Sequence, residues 1–266
     1  MVKACVLFAA GTNCDVETCH ALELAGAKPE RVHINQFKSG ERNLAEFQLL
    51  VIPGGFSYGD YISSGRILAN ELKYYLAEDI ERFCKQGKPI LGICNGFQVL
   101  VKAGLLPGFE RPFEPQTVTL DTNNSGRFED RWVFLRTEPS RCIFTQGLPE
   151  VCELPVAHAE GKFITANEGV LKKLNDNRQV VFRYVSRYGE AAEYPDNPNG
   201  SVEDIAGICD PSGIVFGLMP HPERYTRPEH HPEWHRWSAR TRTPSELTRP
   251  QGIRIFENAV RHAQTI

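Results

Sequence analysis

The first hundred residues alternate two hydrophobic patterns. Continuous apolar runs, as in "KACVLFAA" and "EFQLLVIPGGF", are separated by stretches whose apolar positions recur at helical spacing. A run with no polar face predicts a strand buried on both sides, the mark of a parallel sheet covered by helices. "CDVETCHALELAGAKP" predicts the first helix, stopped by Gly26 and Pro29. "RVHINQ" predicts a weaker second strand, and "ILANELKYYLAEDIERFCKQGKP" one long amphipathic helix. "PILGIC" and "GFQVLVKAGLLPG" predict a fourth strand and the helix after it.

From Gln116 onward the pattern changes. "QTVTLDTNNSGRFEDRWVFLRT", "CELPVAHAEGKF" and "QVVFRYV" read as strands of a mixed or antiparallel extension. "NPNGSVEDIAGICDPSGIVFGLMPHPERY" reads as a turn-rich approach and two strands around a "DPSG" hairpin turn, and "GIRIFENAVRHA" as a closing amphipathic helix. The fold class expected is therefore α/β, an open and mostly parallel sheet flanked by helices, with a small mixed or antiparallel extension. No linker and no repeat interrupts the pattern, so residues 1–266 are read as one domain. Residues 226–250, polar and proline-spaced, are read as a surface insertion before the last helix. They carry His230, His231 and His235, but in a loop with no defined partner, so no metal site is expected there.

Composition narrows the functional classes. Hydrophobic residues make up 41% and charged residues 24% of the chain, and the formal net charge is -3, which gives no basic face for nucleic acid or for an anionic membrane. The first apolar run is too short for a secretory signal or a membrane span. Eight cysteines include no C-x-x-C pair, so they read as small core thiols in a reducing cytoplasm.

One of those thiols is placed differently. In "GKPILGICNGFQVL" a strand pattern meets a helix pattern at Gly92-Ile93-Cys94-Asn95-Gly96, the thiol form of a nucleophile elbow. The glycines allow the sharp turn, which lifts Cys94 to the carboxyl end of its strand, where open α/β sheets bind ligands. The sulfur then sits at a helix N-terminus, which favours the thiolate, and the Asn95 N–H points to the same place as an oxyanion donor. A cysteine nucleophile needs a base held by a third group. "GLMPHPERY" offers His221 and, two residues on in an extended stretch, Glu223. His158, followed by Glu160 in "VAHAEGKF", is the rival histidine, ranked second because no long buried strand precedes it. A second oxyanion donor is expected from Gly55 in "VIPGGFSYGD", where a buried strand ends in Pro-Gly-Gly.

These stations, in this order, resemble the class I (triad) glutamine amidotransferases. The match extends through "PGGFSYGDYISSGRILAN", "LPVAHAEGKF", "NPNGS" and the opening "GTNCD" to one branch, the glutaminase subunits of phosphoribosylformylglycinamidine synthase in purine biosynthesis. The resemblance covers about residues 3 to 225. It implies a flavodoxin-like fold, Cys94 as nucleophile, His221 as general base and acid, and Glu223 orienting the histidine. It implies further that the amides of Gly55 and Asn95 form the oxyanion hole, and that Gly55, Gln98 and His158 contact the substrate, L-glutamine. Ammonia would pass to a synthetase subunit, with or without a small adaptor subunit. That synthetase would use ATP and magnesium to turn formylglycinamide ribonucleotide into the amidine. No cofactor and no metal are expected on this chain. Readings that keep the elbow but change the chemistry, such as a cysteine protease, a redox or deglycase protein, or a regulatory subunit without activity, leave the Pro-Gly-Gly loop or the intact Cys–His–Glu set unexplained.

Overall fold

The computed structural model describes residues 1–235 and 250–266. A single nine-stranded sheet runs through the molecule. Its parallel part is ordered β2 (Lys28–His33), β1 (Lys3–Phe8), β3 (Leu49–Ile52), β4 (Ile90–Ile93) and β11 (Val215–Leu218). The order continues antiparallel through β10 (Ile205–Cys209), β9 (Val180–Val185), β6 (Glu129–Thr137) and β7 (Val151–His158). The antiparallel part is thus joined to the same sheet rather than set beside it. A separate two-stranded sheet pairs β5 (Val118–Thr122) with β8 (Glu160–Thr165). The mostly parallel α/β architecture expected from the apolar runs is what forms, because β3, β4 and β11 are buried along their whole length.

Flanking helices supply the cover: α1 (Asp15–Leu24), α2 (Ile34–Lys38), α3 (Arg66–Tyr75), α4 (Ala77–Lys85), α5 (Asn95–Ala103), α6 (Glu168–Asp176) and α7 (Gln251–Ala263). Helix α5, buried at every position, packs on β3, β4 and β11 as well as on α3. Three local expectations need correction. The long helix predicted from Ile67 to Cys84 breaks at Leu76 (φ −126°, ψ 6°), and α4 turns Ile80 and Phe83 into the core on its own account. The strand predicted over "RVHINQ" ends at His33, whose Nδ1 accepts from the Asn35 N–H while Gln36 accepts from the His33 N–H, so a capping box starts α2 there. The sequence reading missed α6, which Asn167 caps through its side chain.

The polar segment 226–250 is described only over 226–235 and at Pro250, and the rest of it lies outside the described residues. Within the described part, His231 is buried, 2.8 Å from Glu153 of β7, with its ring against Trp132. This stretch of the segment packs onto the end of the sheet.

Candidate active site

Strands β4 and β11 are parallel neighbours, with Leu218 in register with Ile93. Both chains therefore leave the sheet at the same edge, and Cys94 and His221 are the residues that follow. Cys94 caps the start of α5 with φ 51° and ψ −106°, a conformation rarely tolerated outside glycine. Its N–H is held by Leu218 O at 2.8 Å, so the strained residue is tied to the strand beside it. The close packing of helix on strand depends on Gly96: a Cβ there would lie 1.8 Å from Ile52 O.

His221 is fixed from two sides. Its N–H donates to Pro155 O of β7 at 2.8 Å, and its Nδ1 lies 2.6 Å from Glu223 Oε1. The expected extended stretch is absent here. Pro222–Arg224 form a 3-10 turn, and the turn rather than i, i+2 alternation swings Glu223 back onto the ring. Both side chains are buried. Burial by itself would depress the His221 pKa, but the Glu223 carboxylate, followed by the thiols of Cys94 and Cys14, outweighs it and holds the imidazole well above its ordinary value.

The Pro-Gly-Gly loop after β3 reaches the same edge. Gly55 has φ 139° and bridges to Thr12; a Cβ on it would stand 2.6 Å from the Asn13 N–H, so only glycine lets the two loops close. Among the described residues no acceptor takes the N–H of Gly55 or of Asn95. The Asn95 side chain braces the loop by accepting from the Ser57 N–H at 3.2 Å and donating to Gln98 Oε1 at 2.9 Å. Gln98 Nε2 in turn donates to Glu160 O at 2.5 Å, which ties α5 to the β7–β8 turn.

His158 does not match the description that demoted it, since it ends the eight-residue strand β7. It is no rival base, however. Its Nδ1 lies 3.1 Å from Asn123 Oδ1, and burial, with the charge of His221 second, pushes its pKa down to about 3. A ring kept neutral that far below neutral pH takes no proton from a thiol. Cys94 Sγ lies 3.7 Å from Ala157 O, so β7 forms the wall facing the nucleophile.

A cavity of about 290 Å³ joins all seven sequence-predicted positions or their immediate neighbours: Gly55, Cys94, Gln98, His158 and His221 line it directly. Several lining residues were missed by sequence reasoning, among them Cys14, Asp60 and Arg224, whereas Glu160, noted in the sequence beside His158, lines the cavity with it. Cys14 could have been found, because "GTNC" follows β1 and so reaches the same sheet edge as the other two loops. Asp60 is brought in by loop geometry that no local pattern announces. Burial raises the Asp60 carboxyl pKa, and the charge of Glu160 adds to this.

A strained thiol, a buried imidazole–carboxylate pair and free amides thus meet at one sheet edge. The family model of the CobB/CobQ-like glutamine amidotransferase domain matches residues 1–263. The chain belongs to that family of glutamine amidotransferases. It is 48% identical to the phosphoribosylformylglycinamidine synthase subunit PurQ of Dehalococcoides mccartyi, over 100% of this chain and 99% of the relative. The corresponding subunit of Archaeoglobus fulgidus is 49% identical over 84% and 87% of the two chains. Among solved structures, PurLQS from Thermotoga maritima superposes with a TM-score of 0.71 at 32% identity, covering 98% of this chain and 99% of that one. Within the amidotransferases, the chain therefore belongs to the PurQ subunits of phosphoribosylformylglycinamidine synthase, the branch its motifs resemble.

Proposed function

We propose that this chain is the glutaminase of a phosphoribosylformylglycinamidine synthase, hydrolysing L-glutamine at Cys94 and supplying ammonia to a synthetase subunit. The observation that carries the reading is Cys94, held at positive φ beside a buried His221–Glu223 pair. The raised His221 pKa favours an imidazolium beside Cys94. The thiolate attacks the side-chain amide carbon, and the oxyanion so formed is held by the N–H groups of Gly55 and Asn95. His221 gives its proton to the nitrogen, ammonia leaves, and a glutamyl thioester remains. Water, deprotonated by His221, then releases glutamate and restores the thiol. Glu223 keeps the ring in its working orientation throughout.

Charge in the cavity suits an amino acid. Asp60 and Glu160 suit the α-ammonium group, and Arg224 suits the α-carboxylate. Gln98 and His158 form the wall along the glutamine side chain. ATP and magnesium act on the synthetase, which makes the amidine from formylglycinamide ribonucleotide in the cytoplasm, with a small adaptor subunit completing the assembly. No described helix of this chain is long and apolar enough to cross a membrane.

Mass spectrometry of the intact chain after treatment with diazo-oxo-norleucine tests the reading, alone and with the synthetase present. A single adduct on Cys94, suppressed by excess glutamine, is the expected result. Scattered labelling over the other thiols, or no adduct even in the complex, would refute it.

A further inference from the structure

We infer that Cys14, His221 and Glu223 form a binding site for a thiophilic divalent cation, and that its occupation blocks glutamine hydrolysis. Cys14 Sγ, a ring nitrogen of His221 and a carboxylate oxygen of Glu223 all lie within 4.8 Å of one another, and all three side chains are buried. Sulfur, imidazole nitrogen and carboxylate oxygen are the donor set of zinc, at about 2.3, 2.1 and 2.1 Å from the ion. In a tetrahedron, donors at those lengths stand roughly 3.5 Å apart, so no pair need close by more than about 1.3 Å, while His221 Nδ1 and Glu223 Oε1, 2.6 Å apart, open by about 0.9 Å. One carboxylate oxygen of the cluster, Glu223 Oε2, is buried with no hydrogen-bond partner. Such atoms gain from any ligand that reaches them.

Burial raises the Cys14 thiol pKa, so an arriving metal must displace the proton itself. Cys14 caps the ten-residue helix α1, and Arg224 Nη2 donates to its sulfur at 3.3 Å. A Cβ on Gly54 would stand 2.8 Å from His221 Cε1 and 3.2 Å from Cys14 Sγ, so the glycine lets imidazole and thiol share one space. A water completes four-coordination. On binding, the Cys14 thiol proton goes to solvent and no oxidation takes place. A metal on His221 Nδ1 breaks the 2.6 Å contact to Glu223 and leaves the ring's one proton on Nε2, so that nitrogen has no lone pair to accept a proton in the reaction. The blocking half of the inference rests on the role proposed for His221; the binding half does not.

The experiment uses the full-length chain. Cys94→Ser, which lacks the nucleophile, and Cys94→Ser with Cys14→Ser are titrated with cadmium chloride. Binding is read by calorimetry and by the thiolate-to-metal absorption in the near ultraviolet, with thermal unfolding to confirm that both variants are folded. The single variant is expected to take up one equivalent that the double variant binds at least tenfold more weakly, since loss of a ligand costs no less than the roughly 10–100-fold lost with a supporting partner. Equal binding by both, or none by the single variant, would overturn the inference. In parallel, zinc is titrated into the glutaminase reaction of the parent and of Cys14→Ser, each scaled to its own metal-free rate. The parent is expected to be at least about tenfold the more sensitive, with recovery on adding a chelator. Equal sensitivity would place the ion on Cys94 and His221 alone and overturn the role of Cys14. Binding by Cys94→Ser without inhibition of the parent would overturn the blocking half alone.

Discussion

Replacing Gly96 by alanine tests whether close packing of helix on strand is what positions the nucleophile. The residue needs no unusual dihedral, so the effect is steric alone. The added methyl carbon would stand 1.8 Å from Ile52 O and 2.7 Å from Ile52 C, both main-chain atoms of β3 that cannot swing aside. Restoring a separation near about 3.5 Å requires α5 to move away from β3 by roughly 1.7 Å. Overpacking of this kind costs about 1–3 kcal/mol. For a chain of this size, about 2 kcal/mol lowers Tm by roughly 4–8 °C. The same displacement carries the Cys94 sulfur and the Asn95 N–H off their working positions, and a misplacement of about 1 Å costs on the order of 100-fold in turnover. The assay pairs thermal unfolding with kcat for glutamine at 25 °C, where the variant is still folded. A variant with the parent's Tm and kcat would refute the reasoning, because α5 would then have room that the structure does not give it.

Cys94→Ser is expected to abolish glutamine hydrolysis without altering Tm, while the synthetase complex still makes product from added ammonium salts; product formation and unfolding check both halves. Glu223→Gln should lower kcat by about 10²–10⁴-fold, as loss of a histidine-orienting carboxylate does elsewhere. Because the folded pKa of His221 is raised, its stabilisation is complete below the unfolded value of about 6.5 and is lost as pH rises through the folded value. The stability gap between parent and Glu223→Gln should therefore be widest at pH 6 and narrow on the alkaline side, as urea titrations at several pH values would show. His158 has the opposite sign. With a folded pKa of about 3 it withholds a proton that the unfolded chain takes up, so stability falls as pH drops from about 6.5 toward 3. The part due to this residue is about 2 kcal/mol by pH 5, and His158→Gln should remove it from the pH dependence of Tm.

The apolar runs were enough to specify the parallel half of the sheet. β3, β4 and β11 are buried on both faces, and burial on both faces leaves no polar position in the sequence. The elbow was legible for a similar reason: Gly92 and Gly96 are demanded by a sharp turn and a close approach, which are local requirements written in the residues flanking Cys94. His221 and Glu223 were legible as residue types, although the geometry joining them is a turn that the spacing alone misdescribed.

Long-range placement was decided only by the tertiary structure. Leu76 breaks a helix whose pattern reads as continuous, and each half then buries its own apolar face, Leu68, Ala69 and Leu72 in one and Ile80 and Phe83 in the other. His158 loses its candidacy as a base not through its neighbours in sequence but through Asn123 and the burial that keeps its ring neutral. Cys14, an ordinary-looking thiol at the start of a helix, comes to rest against the His221 imidazole because β1 and β11 end at the same edge of one sheet. Sequence records what each residue needs of its immediate backbone; which buried charges and thiols meet across two hundred residues is set by strand order, and strand order is a property of the assembled sheet.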